Sequence, residues 1–230
     1  MLNKLGITVG NDTKAANAFM KVFPNFFEVQ YQKPSEYIKD FWEKYKKLPD
    51  TNSNLNGKVF EYVLATLCIR ENILPVYLSA KVAFVPNVVY DIMFYTSERG
   101  PICWSVKTSL RERYKQADLE SIALKYVHRK ALSYLITLDE KEANGVKNKI
   151  VSGDVIGLDN VIVATNPEFD ELILELKEFV FSEPPTVKVI ESNQIITKEK
   201  INNLWMDFRP PGCPCQRAEE SAHVRGGSHA

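Results

Sequence analysis

Apolar residues in the first third of the chain recur at the three- and four-residue intervals of amphipathic helices. Tyr37, Phe41 and Tyr45, for example, follow one helical face while lysines occupy the others. The predicted helices of this region cover residues from about 12 to Pro24, 33–47 and 58–72. The third is apolar on most faces, which indicates a buried helix. The polar loop 48–57 separates this helical N-terminal region from the rest.

Beyond residue 75 the pattern changes to short apolar runs separated by charged, helical stretches. The runs predict strands over 76–85, 88–96, 101–107, 131–138 and 160–165. The charged stretches predict helices over 109–130, 139–150 and 167–181, the last opened by Pro167. This order predicts an α/β fold in which helices flank a mixed central β-sheet on both faces, with a helical N-terminal region.

The chain length of 230 residues suits one large domain. We predict a single domain over residues 1–206, in which a helical N-terminal region (residues 1–55) precedes a core (residues 56–165) and a C-terminal region (residues 166–206). Residues 207–230 are rich in Pro, Gly and small polar residues and are expected to form a flexible tail. Its Cys213 and Cys215 do not have the spacing of a common zinc finger.

Composition excludes several classes of function. The 29 cations and 29 anions give a formal net charge of zero, so only local clustering of charge would attract nucleic acid. Phosphate-loop and dinucleotide motifs are missing from the sequence, which predicts no nucleotide cofactor. No secretory signal or membrane-length apolar stretch is visible. Cys68 and Cys103 lie in apolar runs, as reduced core residues do, and we expect a cytoplasmic protein without membrane contact.

Two charges interrupt the apolar strands: Asp91 in the second and Lys107 at the end of the third. An unpaired buried charge costs several kcal/mol, so each needs a partner. A hairpin centred on Arg99 would place Asp91 opposite Lys107 and Met93 opposite Ser105. Such a pair is either a structural ion pair on a partly exposed face or a component of a reactive site.

The segment after Lys107 favours the reactive site. Ser109 and Glu112 have the spacing of a capping box, whose helix would direct its N-terminal N–H groups toward the end of the lysine strand. Four cations lie within nine residues: Lys107, Arg111, Arg113 and Lys115. Arg111 and Lys115 are expected to share a helix face, which would either contact phosphate or be a solvated surface.

Glu61 lies in the otherwise apolar third helix. A carboxylate there requires a partner or a metal ion. The alternative is an exposed glutamate on a thin polar stripe with Lys58 and Tyr62.

This arrangement resembles the PD-(D/E)xK nuclease superfamily and, within it, the type II restriction endonucleases. The shared elements are a helix with Glu61, a strand with Asp91, the sequence Ser-Val-Lys at 105–107 and a following helix. The resemblance covers about residues 56–165 and implies a restriction-endonuclease-like fold. The chain departs from the family at Ser105, where an Asp or Glu is usual. Glu61 is the expected substitute and Glu112 its rival, unless the serine marks an inactive relative.

The resemblance implies hydrolysis of double-stranded DNA with Mg²⁺. Asp91 would be the central metal ligand, with Glu61 and the Val106 carbonyl beside it, and Lys107 would activate or orient the attacking water. The DNA-binding residues would be Ser105, Thr108, Arg111, Arg113, Lys115 and Gln116. Base recognition is open among the loops and the 130–205 region, for which Asn144, Lys147, Asn148 and Lys149 are candidates, although surface solubility explains these as well.

A palindromic target would require a homodimer. The N-terminal helices would form its surface or simply belong to the core. Two other functions remain open on the same fold: a structure-specific repair or recombination nuclease, and a catalytically inactive DNA-binding module.

Overall fold

A computed structural model describes residues 1–10, 13–49, 51–85, 87–184 and 189–208. The helices in these ranges are α1 Lys14–Val22, α2 Pro34–Tyr45, α3 Ser53–Arg70, α4 Arg113–Val127, α5 Glu140–Ser152, α6 Pro167–Lys177 and α7 Lys198–Phe208. The strands are β1 Val76–Val82, β2 Tyr90–Thr96, β3 Gly100–Lys107, β4 Leu132–Thr137, β5 Asn160–Val163, β6 Ile190–Glu191 and β7 Gln194–Ile196.

The strands form one mixed sheet in the order β5-β4-β3-β2-β1-β6, with β7 also paired to β1. β1, β2 and β3 are antiparallel neighbours, whereas β3, β4 and β5 run parallel. The predicted α/β class with a mixed central sheet is therefore confirmed. β6, β7 and α7 were not predicted. β6 and β7 have only two and three residues, which leave almost no periodic signal.

Alternation along the strands gives the sheet two covered faces. Ile92, Phe94 and Trp104 belong to the cluster that contains the residues of α1, α2, α3 and α6. Met93, Tyr95 and Cys103 pack on the other face with Leu124 of α4. Ser105 and Lys107 follow Cys103 in the alternation of β3. In β2, Tyr90 belongs to the second cluster as well as Met93, so strict alternation breaks around Asp91.

The N-terminal helices belong to the core of the fold. Phe19, Phe41 and Tyr45 are almost fully buried, and the rings of Phe19 and Phe41 stack at 5.1 Å. The Asp170 carboxylate of α6 accepts hydrogen bonds from the Ser35 backbone N–H at 2.7 Å and from its hydroxyl at 2.9 Å. These contacts tie α2 to the C-terminal region, so packing explains the amphipathic pattern of these helices.

Several finer expectations need correction or lie outside the described residues. Cys68 and Cys103 are buried free thiols, as expected. The expected tail began at residue 207, but α7 extends to Phe208, and residues 209–230, with Cys213 and Cys215, lie outside the described residues. None of the helices within the described ranges combines the length and the apolar character needed to cross a bilayer.

Candidate active site

β2 and β3 pair as a hairpin from Thr96 opposite Gly100 to Ile92 opposite Trp104. Paired residue numbers therefore sum to 196, and the predicted register with Asp91 opposite Lys107 is wrong by two residues. The turn is centred on Glu98 because Gly100, with φ of +82°, already belongs to β3. A positive φ favours glycine, and this glycine fixes the end of the turn.

The expected contact between Asp91 and Lys107 nevertheless forms, across a diagonal of the hairpin. Lys107 Nζ lies 2.6 Å from Asp91 Oδ2, and the Val106 backbone N–H donates to the same oxygen at 2.7 Å. The two side chains are 20% and 23% exposed, so the pair is largely sheltered yet reachable from solvent. A two-residue shift preserves the face of every side chain, which is why the contact survives the change of register.

The carboxylate of Asp91 takes the place of a backbone acceptor where the hairpin ladder ends. A residue in an antiparallel ladder directs its N–H and its C=O to the same side of the strand. Because the N–H of Val106 points to Asp91, its carbonyl is directed into the same opening beyond Ile92. The role of the Val106 carbonyl as a metal ligand stays a prediction.

Glu61 approaches this site from α3. Its Oε2 accepts a hydrogen bond from Lys58 Nζ at 2.6 Å, and its side chain is only 14% exposed. Burial raises the pKa of Glu61; Lys58 opposes this rise, Asp91 adds to it, and Lys107 also opposes it. Glu61 is therefore near both residues of the predicted site, and it also has the lysine partner that the alternative explanation expected.

Glu120 of α4 is a further carboxylate at this site that the sequence did not reveal. Burial is the main cause that raises the pKa of Glu120; a hydrogen bond from Gln116 and the Lys107 charge lower it, and the Asp91 carboxylate adds a smaller rise. The Gln116 amide donates to Glu120 Oε1 at 2.7 Å. Glu120 flanks the buried stripe of Ala117, Ser121 and Leu124. The signal available in the sequence was that Glu120 lies three residues after Ala117 and four residues before Leu124, next to this stripe on the helix.

Glu112, the rival for the missing acidic residue, does not reach the site. It is exposed and forms an ion pair with Lys115, which lowers the pKa of its carboxyl. The predicted capping box is also wrong, because Glu112 itself precedes α4 and its side chain makes no capping hydrogen bond. Ser109 instead accepts two hydrogen bonds from the Arg113 guanidinium, at 2.7 Å on its carbonyl and 3.0 Å on its hydroxyl.

The predicted DNA-binding residues lie at the end of β3, in the segment 108–112 and in the first turn of α4. Arg111, with φ of +42°, precedes the helix and therefore does not share a helix face with Lys115 as expected. Arg111, Arg113, Lys115 and Gln116 are exposed, Thr108 is half-buried and Ser105 is buried. The segment 108–112 is bound to α5, because the Glu142 carboxylate accepts a hydrogen bond from the Leu110 N–H at 2.5 Å.

A cleft of about 890 Å³ begins directly after Lys107. Its walls come from the ends of β3, β4 and β5 and from α2 and α3. The lining includes Thr108, Ser109, Asp139, Asn166, Lys39 and Trp42. Asp91, Lys107 and Glu61 do not line it, so it adjoins the carboxylate site without containing it.

The candidate base-reading residues all lie on α5. The Lys147 ammonium is paired with the Glu168 carboxylate, and Lys149 donates to the Tyr114 hydroxyl at 2.5 Å. Lys149 Nζ also lies 4.7 Å from the centre of the Tyr114 ring. Both lysines thus have structural partners, and base recognition by any of the four stays a prediction.

Two carboxylate oxygens near the Asp91–Lys107 contact bear on the predicted magnesium site. Among the contacts of the described residues, Asp91 Oδ1 and Glu61 Oε1 make no hydrogen bond, while the second oxygen of each carboxylate accepts from a lysine. Mg²⁺ needs only one or two protein carboxylates and keeps several waters. Within the described ranges, no three His, Cys, Asp or Glu side chains form a metal-binding group. Magnesium binding by Asp91, Glu61 and the Val106 carbonyl stays a prediction, in which two carboxylates and one carbonyl would form the protein side of the site.

No protein-family model, curated protein or solved structure matches this chain.

Proposed function

We propose that this protein is a Mg²⁺-dependent endonuclease of the restriction type, which hydrolyses phosphodiester bonds of double-stranded DNA at a short specific sequence. The observation that carries the proposal is the Asp91–Lys107 contact of 2.6 Å where β2 and β3 stop pairing, with Glu61 close enough for both charges to change its pKa. Acidic and cationic side chains that converge in a partly buried opening are typical of hydrolytic sites.

Each residue has a distinct role in the proposed reaction. When bound, Mg²⁺ supplies positive charge toward the phosphate and favours ionisation of water near neutral pH. Asp91 and Glu61 would hold the ion through their free oxygens, assisted by the Val106 carbonyl. The Lys107 ammonium, fixed by Asp91, would orient the attacking water and steady the phosphate. Glu61 would also stand in for the acidic residue that the family has where Ser105 stands, and Glu120 of α4 is a further candidate for that place.

The start of α4 supports DNA as the substrate. Arg111 and Arg113 are exposed within a few residues of Lys107, and the Arg113 guanidinium is held by Ser109. Cationic side chains of this kind contact phosphates and position a protein on DNA without reading its sequence. A two-fold homodimer would present two such sites to a palindromic target.

The test is digestion of plasmid DNA by the purified protein with and without Mg²⁺. Discrete fragments with mapped, identical ends would support a restriction enzyme. Cutting confined to branched or damaged DNA would favour the repair or recombination nuclease on the same fold. DNA binding without cutting in Mg²⁺ or Mn²⁺ would show an inactive DNA-binding module, with Asp91–Lys107 as a structural ion pair.

A further inference from the structure

Lys58 forms the second carboxylate–lysine pair of the site. It lies one helical turn before Glu61 on α3, and its Nζ is 2.6 Å from Glu61 Oε2. The same ammonium lies 3.5 Å from the Ser79 hydroxyl of β1, so it bridges the helix and the sheet. The Lys58 side chain is 35% exposed, whereas that of Glu61 is 14% exposed. The Lys58 side chain is therefore the more exposed partner of the pair.

The site contains more negative than positive charge. Asp91, Glu61 and Glu120 contribute three carboxylates, and Lys58 and Lys107 contribute two ammonium groups, which leaves a formal charge of minus one when all are ionised. A divalent cation would change this to plus one, which matches a single phosphodiester. Without Lys58 the free site would have a charge of minus two, and its attraction for a cation would increase.

We propose that Lys58 is a positioning residue that acts as an internal counter-ion: it neutralises and orients Glu61 in the free protein and steadies the phosphate once a cation has bound. This inference rests on the proposed nuclease function. It predicts that loss of the ammonium strengthens cation binding and slows cleavage at the same time. A purely structural lysine would affect both in the same direction, through the orientation of Glu61.

The experiment is calorimetric titration of the full chain with Ca²⁺ alone, which measures ion binding independently of cleavage. We expect Lys58→Met to bind Ca²⁺ about tenfold more tightly, the change that partly screened loss of one positive charge would give. Lys58→Arg keeps the charge and is expected to bind like the wild type. The matched control is Lys44→Met, which breaks an exposed lysine–carboxylate pair with Asp40 on α2 and should leave Ca²⁺ affinity unchanged.

A second measurement follows single-turnover DNA cleavage at saturating Mg²⁺. Lys58→Met should cut ten- to a hundredfold more slowly, and Lys58→Arg should recover most of that loss. Lys58→Gln is the second neutral variant, in case the methionine variant does not fold. Unchanged or weaker Ca²⁺ binding in a folded neutral variant, while the wild type binds Ca²⁺ and cuts DNA, overturns the inference alone. A wild type that neither binds Ca²⁺ nor cuts DNA overturns the proposed function, and the inference with it.

Discussion

Replacement of Glu120 by glutamine should separate activity from stability. Burial and the neighbouring Asp91 carboxylate raise the pKa of Glu120, while Gln116 and Lys107 only partly offset them. A carboxyl group whose pKa is raised on folding stabilises the protein fully below its ordinary pKa, and this contribution is lost as the pH rises through the raised pKa. Ionisation of Glu120 therefore opposes folding as the pH rises, and the neutral amide of the glutamine variant removes this opposition.

The expected magnitudes follow from the exposure of the site. Interactions of partly exposed charges are worth about 0.2–1 kcal/mol, so Glu120→Gln should raise the free energy of unfolding by roughly 0.5 kcal/mol at pH 7. The gain should disappear near pH 4, where wild-type Glu120 is protonated. If Glu120 replaces the missing acidic residue of the motif, the same variant should cut DNA about 100-fold more slowly, or about 2.7 kcal/mol in the activation barrier.

Urea denaturation at both pH values and single-turnover cleavage in Mg²⁺ would measure these effects. Glu112→Gln is the matched control, because Glu112 is an exposed glutamate just before the same helix, paired with Lys115. It should retain cleavage within about twofold. Cleavage by Glu120→Gln at the wild-type rate would refute the catalytic assignment. Equal losses of stability and activity would instead indicate that Glu120 supports the structure.

Other substitutions test the packing that holds α4 over the sheet. Asp118 is buried and accepts from the backbone N–H groups of Ile156, Gly157 and Leu158 at 3.1, 2.6 and 3.2 Å. Asp118→Ala should cost about 2–4 kcal/mol in urea denaturation, because buried donors would lose their acceptor, and a cost below 1 kcal/mol would contradict this. A Cβ on Gly157 would lie 2.3 Å from the Asp118 carbonyl oxygen, so Gly157→Ala should lower the melting temperature by several degrees. Gly145 is exposed in α5, and a Cβ there would have no atom within 4 Å. Gly145→Ala should therefore raise the free energy of unfolding by about 0.5–1 kcal/mol. An equal loss of stability in both glycine variants would refute the steric explanation.

Periodicity was sufficient to predict that the two charges could meet. The predicted and observed registers of the hairpin differ by an even number of residues, so each residue of β3 faces the same side in both. The register itself depends on the left-handed conformation of Gly100, which the turn sequence Ser-Glu-Arg-Gly at 97–100 does not reveal. The sequence therefore predicted which charges meet, but not the diagonal geometry in which they do so.

The start of α4 and the role of Glu120 required the three-dimensional structure. Ser109 and Glu112 have the spacing of a capping box, yet the chain between them is bound by Arg113 and Glu142, and the helix begins later. The direction in which Glu120 points depends on where the helix starts and on how it crosses the sheet. Neither quantity follows from local sequence, because tertiary contacts determine both.

We propose that Asp91 and its neighbours act together in Mg²⁺-dependent hydrolysis of DNA. The most direct measurement compares plasmid cleavage by the wild type and by Asp91→Asn, which keeps an acceptor for the Val106 N–H and removes only the charge. We predict cleavage by the wild type that stops when EDTA removes Mg²⁺, and at least 1000-fold slower cleavage by a folded Asp91→Asn. Cleavage by Asp91→Asn within tenfold of the wild-type rate would contradict the account.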